Sequence, residues 1–474
     1  MERLETLVAT VSGVLTDYVL VTVLLVIAIY FTLRTKGVQF RMIGEMLRLL
    51  AKSGKSNNDR RKNEAPEHAS ISSFQAFALS IASRVGTGNL AGVATAIALG
   101  GPGAVFWMWI IALLGASSSF VESTLAQLFK VRSKDSYLGG PAYYIQKGLH
   151  QRWWAVTFAV LITLTFGFAF SSVQSNTIAD AFHSCYGFSK DVMAIVITAL
   201  TLIVIWGGVQ RVSKFSQIVV PVMAVAYILL AIVIICMNIW RIPEIMALIV
   251  SNAFGFDQAL GGTMGMAVIM GVKRGLFSNE AGEGSTPNAA ATASVSHPVK
   301  QGLIQALGVY TDTLLVCSAT AFIILCSGLH TQGHDGIVLT QKALDSELGG
   351  GNIGSVFVSV AILFFAFTSI IANYYYGEAN LRFMYDKEWF INLYRLLVGG
   401  VVYLGSVMSL DLVWGFADIT MALMTLCNLA AILMLGKYAV RLLADYRKQR
   451  REGKDPIYHS STIPEISSET ECWD

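Results

Sequence analysis

The sequence predicts an all-α integral membrane protein. The composition is 54% hydrophobic against 14% charged, where an ordinary soluble chain carries about 25% charged residues. The apolar residues fall in long stretches bounded by charge or by Gly and Pro, and Lys and Arg collect in a few of the connecting segments. A spanning helix needs about 20 mainly apolar residues, so the chain has room for about ten of them and little for a soluble domain. A formal charge of +3 gives no global excess that would point to nucleic acid.

In chain order the stretches number about eleven, at about 18–34, 71–99, 102–130, 153–182, 190–207, 213–238, 261–284, 299–328, 353–381, 390–408 and 412–436. The first, Tyr18 to Leu33, lacks a basic leader and a small-residue cleavage site, so it reads as an anchor rather than a signal peptide. The loop from Arg34 to Lys62 holds nine basic residues: Arg34, Lys36, Arg41, Arg48, Lys52, Lys55, Arg60, Arg61 and Lys62. Short cytoplasmic loops retain Lys and Arg, which places this loop inside. Alternation then puts Lys130, Arg132 and Lys134, Arg211 and Lys214, Arg382 and Lys387, and the basic residues from Lys437 to Arg451 on the same side. The opposite side receives Glu2, Glu5, Asp335, Asp345 and Glu347, with the N-terminus outside and the C-terminus cytoplasmic in a bacterial inner membrane. Residues beyond Arg450 are polar, with two prolines, and read as a disordered tail; 54–70 reads as a solvated link. Six cysteines, at 185, 236, 317, 326, 427 and 472, have no metal or redox spacing and read as apolar filler. Trp107, Trp109, Trp153 and Trp154 lie near span ends and read as an interfacial belt.

Two spans are interrupted. One carries Arg84-Val-Gly-Thr-Gly-Asn89 near its middle, and the span from Gly261 carries Gly275-Leu-Phe-Ser-Asn-Glu-Ala-Gly282. A helix in lipid loses backbone hydrogen bonds only where protein or a water-filled cavity replaces them. A break frees N–H groups at one half-helix, which suit a carboxylate, and carbonyls at the other, which suit a cation. Glycine as a close-packing residue is the competing explanation. Setting the first anchor aside leaves ten spans, and the broken ones open two halves of five, the layout of inverted repeats that meet at a midplane site. The domains expected are therefore 1–70, 71–238, 239–436 and the tail 437–474.

Polar residues inside the spans are the next candidates. Glu280 could compensate a ligand ammonium, carry a proton, or pair with Arg84, Lys273 or Arg274, and the structural pair is the expectation. Glu122 and Asp312 fit helix–helix hydrogen bonds or an inward pathway. Gln174-Ser-Asn176 serves either a ligand or a neighbouring helix, and Thr368-Ser369 either a cation or back-bonding to the preceding turn.

The stretches Ser80-Ile-Ala-Ser-Arg-Val-Gly-Thr-Gly-Asn-Leu-Ala-Gly92, Gly100-Gly-Pro-Gly-Ala-Val-Phe-Trp-Met-Trp109 and Phe277-Ser-Asn-Glu-Ala-Gly282 resemble the signature segments of the alanine or glycine:cation symporter family, over nearly the whole chain. The resemblance implies the LeuT architecture: one extra N-terminal helix plus a 5+5 inverted repeat. It implies sodium-coupled symport of a small neutral amino acid, alanine or glycine, with Na+ the co-transported ion. It implies a sodium site from the carbonyls of Ala82 and Val85 and the hydroxyls of Thr368 and Ser369. It places the substrate carboxylate at Thr87, Gly88 and Asn89, with Gln174 facing it. At the second break the expected contacts are Phe277, as a pocket wall, and Ser278 and Asn279, toward the ammonium. A different carrier of the same architecture, using protons with Glu280 titrating or taking another, larger amino acid, and a non-transporting amino-acid receptor are the alternatives. A membrane enzyme is the least favoured reading, since the sequence shows no nucleophile–base set, His cluster or phosphate loop; Gly86 to Asn89 has no strand before it and no Lys-Ser or Lys-Thr after it. No obligate protein partner is evident.

Overall fold

The computed structural model describes residues 8, 10–60, 71–133, 137–255 and 264–473, with backbone alone for 54–60 and 208–217. Expectations for Glu2, Glu5, Arg61, Lys62, Lys134, the link 61–70 and the start of the 261–284 span lie outside the described residues. So do the side chains of Lys55, Arg60, Arg211 and Lys214.

The architecture is helical throughout, at 84% helix. In order the helices are α1 (Thr10–Arg34), α2 (Ile43–Arg60), α3 (Ser73–Arg84), α4 (Gly88–Gly100), α5 (Gly103–Leu128), α6 (Pro141–Leu149), α7 (Arg152–Tyr186), α8 (Lys190–Ile205) and α9 (Gly208–Met237). They continue with α10 (Ile242–Ala253), α11 (Met264–Asn279), α12 (Thr286–Ala291), α13 (Pro298–Ser327), α14 (Gly336–Glu347), α15 (Ile353–Met384), α16 (Glu388–Val407) and α17 (Leu410–Arg451). A two-stranded hairpin, β1 (Val131–Arg132) with β2 (Tyr137–Leu138), follows α5.

Among the described residues, eight helices are long and apolar enough to cross a membrane: α1, α5, α7, α13, α15, α16, α17 and, from Ile218, α9. The expected span at 71–99 is the broken pair α3/α4, the one at 261–284 holds α11 and the turn after it with α12 lying beyond its expected end, and the one at 190–207 is α8, of 16 residues. Ser72 starts α3 with a capping box, its Oγ accepting from Gln75 N while Gln75 Oε1 accepts from Ser72 N. The two broken helices also meet through a parallel bridge, with Ser294 N donating to Ile71 O at 3.0 Å.

The molecule is apolar outside and polar within, as a bilayer solvent dictates. The apolar window of α9 is only 22% buried, and Ile218, Val222, Val225 and Leu229 face outward. The window of α13 is 78% buried, and it carries Gln301, Gln305, Asp312 and Thr313 inside. Polar side chains at depth are held by neighbours rather than by lipid. Trp153 is exposed, as a belt residue is; Trp107 and Trp109 instead spend their indole N–H on Ala253 O (3.2 Å) and Ser318 Oγ (2.8 Å).

The tail departs from expectation. Residues after Arg451 form turns at Ser460–Thr462 and Pro464–Glu469, and Tyr458, Ile463, Ile466 and Trp473 are buried. Tyr458 N donates to Ser296 O (2.9 Å), Trp473 Nε1 donates to Gln127 O (3.0 Å), and Asp455 pairs with Lys300 (2.6 Å) and Lys52 (3.1 Å). The tail has too few apolar residues to fold alone. The ends of α2, α5 and α13 supply the surface it lacks.

Candidate functional site

The first break begins where α3 stops at Arg84. Val85 turns extended (φ −83, ψ 95), so the carbonyls of the last turn lose their helical partners. Ser369 of α15 sits against them: its Oγ is 2.8 Å from Ala82 O, 3.3 Å from Val85 O and 3.0 Å from Phe365 O. Thr368 Oγ1 donates to Phe365 O at 2.9 Å, on its own helix. Three of the four expected cation ligands thus converge, and Thr368 stays back-bonded.

Beyond Val85 the free amides are taken by side chains. Gly86 N donates to Asn89 Oδ1 and Thr87 N donates to Gln174 Oε1, both at 2.8 Å. A Cβ on Gly86 would collide with Ser369 Oγ and lie 2.6 Å from Gln174 Oε1, so only glycine fits between α7 and α15. Thr87 Oγ1 is buried with no partner among the described residues. Asn89 stands in a π-helical turn, Gly88–Gly92, and its Nδ2 donates to Asp312 Oδ1 at 2.6 Å.

The second break lies later than the sequence suggested. Gly275 through Asn279 continue α11, and the left-handed residues are Glu280 (φ 55), Gly282 (φ 90) and Gly284 (φ 89). Gly275 is a packing glycine: a Cβ there would meet Ile111 Cγ2 at 2.8 Å. The amides freed at Gly282 and Gly284 donate to the two oxygens of Glu122, each at 3.1 Å, and Asn428 Nδ2 adds a third bond at 2.8 Å. Glu122 is a cap for the broken helix supplied from α5.

The two breaks touch. A Cβ on Gly88 would lie 3.1 Å from both Phe277 Cδ1 and Ser278 Cα. The Phe277 ring is wedged between Phe170 (centroids 4.4 Å) and Trp414 (4.6 Å). Ser278 Oγ donates to Asp312 Oδ2 at 2.9 Å, whereas Asn279 turns away, its Nδ2 reaching Thr313 Oγ1 at 3.3 Å.

The expected ion pair of Glu280 is absent among the described residues. Lys273 and Arg274 pair with Asp418 at 2.8 and 3.3 Å, and Arg84 donates to Gln305 O and Ser119 Oγ. Glu280 is held by hydroxyls instead: Ser83 at 2.5 Å on one oxygen, Ser285 at 2.6 Å and Thr286 at 3.3 Å on the other. One hydroxyl from α3 and two from the residues just after the turn satisfy the carboxylate without a cation.

Asp312 does more than a helix–helix hydrogen bond or a pathway lining would. Lying in the π-helical run Thr311–Cys317 of α13, its carboxylate accepts from Asn89, Ser278 and Thr313 and so ties both broken helices to α13. The signal was an acid between two threonines in an apolar run. Glu283 passed unnoticed, because it reads as a loop residue and is in fact fully buried.

Two interrupted helices, a convergent oxygen set at one break and an acid joining both are a transporter's layout. A family model described as the sodium:alanine symporter family matches residues 1–460. The chain belongs to this family. It is a transporter and not an enzyme. It is 50% identical over 471 residues to the probable sodium/glutamine symporter GlnT of Bacillus subtilis, covering 99% of this chain and 96% of the relative. It is 44% identical to the putative sodium/proton-dependent alanine carrier protein YrbD of the same organism, covering 96% and 95%. In fold the symporter is similar to MhsT in complex with L-phenylalanine, with a TM-score of 0.56 at 14% identity, over 86% of this chain and 94% of that one.

Proposed function

We propose that this symporter carries a small neutral amino acid, alanine or glycine, into the cell together with sodium by alternating access. The observation that supports it most is the convergence of Ala82 O, Val85 O and Ser369 Oγ at the first break. Neutral oxygens suit sodium, a hard cation. In this reading the Ser369 proton turns away as the ion enters, and Thr368 Oγ1 leaves Phe365 O to become the fourth ligand.

The substrate lies beside the ion. Its carboxylate replaces Gln174 Oε1 at Thr87 N–H and takes the Thr87 hydroxyl, with Gly88 and Asn89 alongside. The displaced Gln174 amide then bonds the zwitterion. Phe277 closes a pocket already tight against Gly88, which favours small side chains, and Ser278 faces the ammonium with Asn279 behind it. One ion with a neutral zwitterion moves one net charge, worth about 2.3 kcal/mol per 100 mV. Since about 1.4 kcal/mol is a factor of ten, that potential supports roughly fifty-fold accumulation.

In the same reading the chain has eleven spans, 71–238 and 239–436 are inverted repeats, and the face bearing the tail is cytoplasmic in a bacterial inner membrane. A second reading, a longer amide-bearing substrate, is favoured by the 50% identity to the glutamine symporter. Radiolabelled alanine, glycine and glutamine uptake into proteoliposomes separates them. Alanine uptake should collapse when sodium is replaced by choline, and uptake indifferent to sodium would overturn the coupling. Glutamine outcompeting alanine would establish the second reading.

A further inference from the structure

The turn from Glu280 to Ser285 brings together Glu122, Glu280 and Glu283, each no more than 1% exposed. The first two are satisfied: Glu122 by the Gly282 and Gly284 amides and Asn428, Glu280 by three hydroxyls. Glu283 is not. It is 0% exposed, and neither carboxyl oxygen has a hydrogen-bond donor among the described residues. Its backbone is fixed, with N donating to Glu280 O at 3.3 Å between the left-handed Gly282 and Gly284.

The charges that Glu283 feels are Glu280 on its own turn, Glu122 on α5 and, opposite in sign, Arg84 on α3. The neighbouring acids in turn face Tyr144 of α6, which is bonded to Asn428 of α17 and lies by Glu122, and Tyr376 of α15 and Asp312 of α13, which act on Glu280. Among the described residues, Arg84 is the one cation named against these acids, and it is already bonded to Gln305 O and Ser119 Oγ. Lys273 and Arg274 are committed to Asp418. An ionised carboxylate buried without donors is too costly to persist, and such a group takes up a neutralising cation. A sodium ion needs a shell of several oxygens, but the nearby hydroxyls of Ser285 and Thr286 are turned onto Glu280. A proton needs no shell.

We propose that Glu283 is a proton site of the transport cycle, holding its proton in the conformation described here and exchanging it when the turn between α11 and α12 rearranges. On exchange the carboxyl O–H bond breaks, the proton passes to water, and the carboxylate keeps the electron pair; reloading reverses this. The inference rests on the symport reading, and adds a proton movement to it.

The test uses full-length protein in liposomes holding a trapped pH-sensitive dye, with potassium and valinomycin clamping the potential. L-alanine and L-glutamine serve as probes under an inward sodium gradient, and radiolabel uptake is followed in parallel. The wild type should change internal pH with substrate uptake, and Glu283→Gln should lose that signal together with the pH dependence of uptake. Glu283→Asp should keep the signal with a shifted pH profile, which covers the case of a Gln variant that fails to assemble. Sodium-driven uptake by the wild type with no pH change would overturn the proton site, as would an undiminished signal in Glu283→Gln. Uptake independent of sodium would instead overturn the symport reading.

Discussion

At the scale of single residues, the site depends on short polar side chains holding backbone groups that broken helices leave free. Ser369 is the clearest case. Removing a hydroxyl that bonds a charged partner costs about 1.5–3 kcal/mol, so Ser369→Ala should weaken apparent sodium affinity roughly ten- to hundred-fold, read from the sodium dependence of uptake. Thr368→Ala should cost less, since its hydroxyl starts on Phe365 O. Glu122→Gln swaps one acceptor for a donor facing the Gly282 or Gly284 amide. An unsatisfied buried donor costs about 1–3 kcal/mol, so a lower thermal midpoint of the purified protein is expected. That polar groups lie at depth at these positions was legible in sequence, because an intramembrane polar group is expensive and therefore noticed. Their partners were not. Glu280 was expected to seek a cation and found serines, and the Thr368 hydroxyl faces its own helix, since side-chain direction depends on the helical phase and the neighbouring turn.

At the scale of elements, each break is held open by packing rather than by glycine content alone. Gly86→Ala should abolish uptake with the protein still folded in the membrane, because its Cβ would strike Ser369 and Gln174. Gly88→Ala should be milder, meeting Phe277 Cδ1 at 3.1 Å and narrowing the pocket. Uptake of labelled alanine against serine measures both, with Gly88→Ala expected to lose the larger substrate first. The first break was placed correctly from its glycines and threonine. The second was placed one turn early, because Gly275 packs against Ile111 whereas the left-handed residues begin at Glu280. Sequence cannot separate a glycine that admits a neighbour from one that reverses the backbone.

At the scale of the whole molecule, composition was enough to name the solvent, yet the polar tail cannot be judged by its own content. What it docks on lies in other elements. His297, at the start of α13, packs against Tyr458 of the tail and Tyr446 of α17 (centroids 5.9 and 5.2 Å). Burial holds its pKa below the usual 6.5; the Asp445 hydrogen bond opposes this and Lys300 reinforces it. An exposed histidine therefore takes its proton at higher pH than the docked one, and docking is fully favoured above about pH 6.5 and weakens as pH falls through and below that value. Protease sensitivity of residues 452–473 should rise between about pH 7.5 and pH 5.5, and His297→Gln should flatten the change. The same clasp bears on how the protein is made. Lys52 and Asp455 are 403 positions apart, and ribosomes add about 5–20 residues each second. Lys52 of α2 must therefore wait tens of seconds after its own synthesis before Asp455 exists to pair with it, whereas Lys300 of α13, 155 positions away, waits less than half as long.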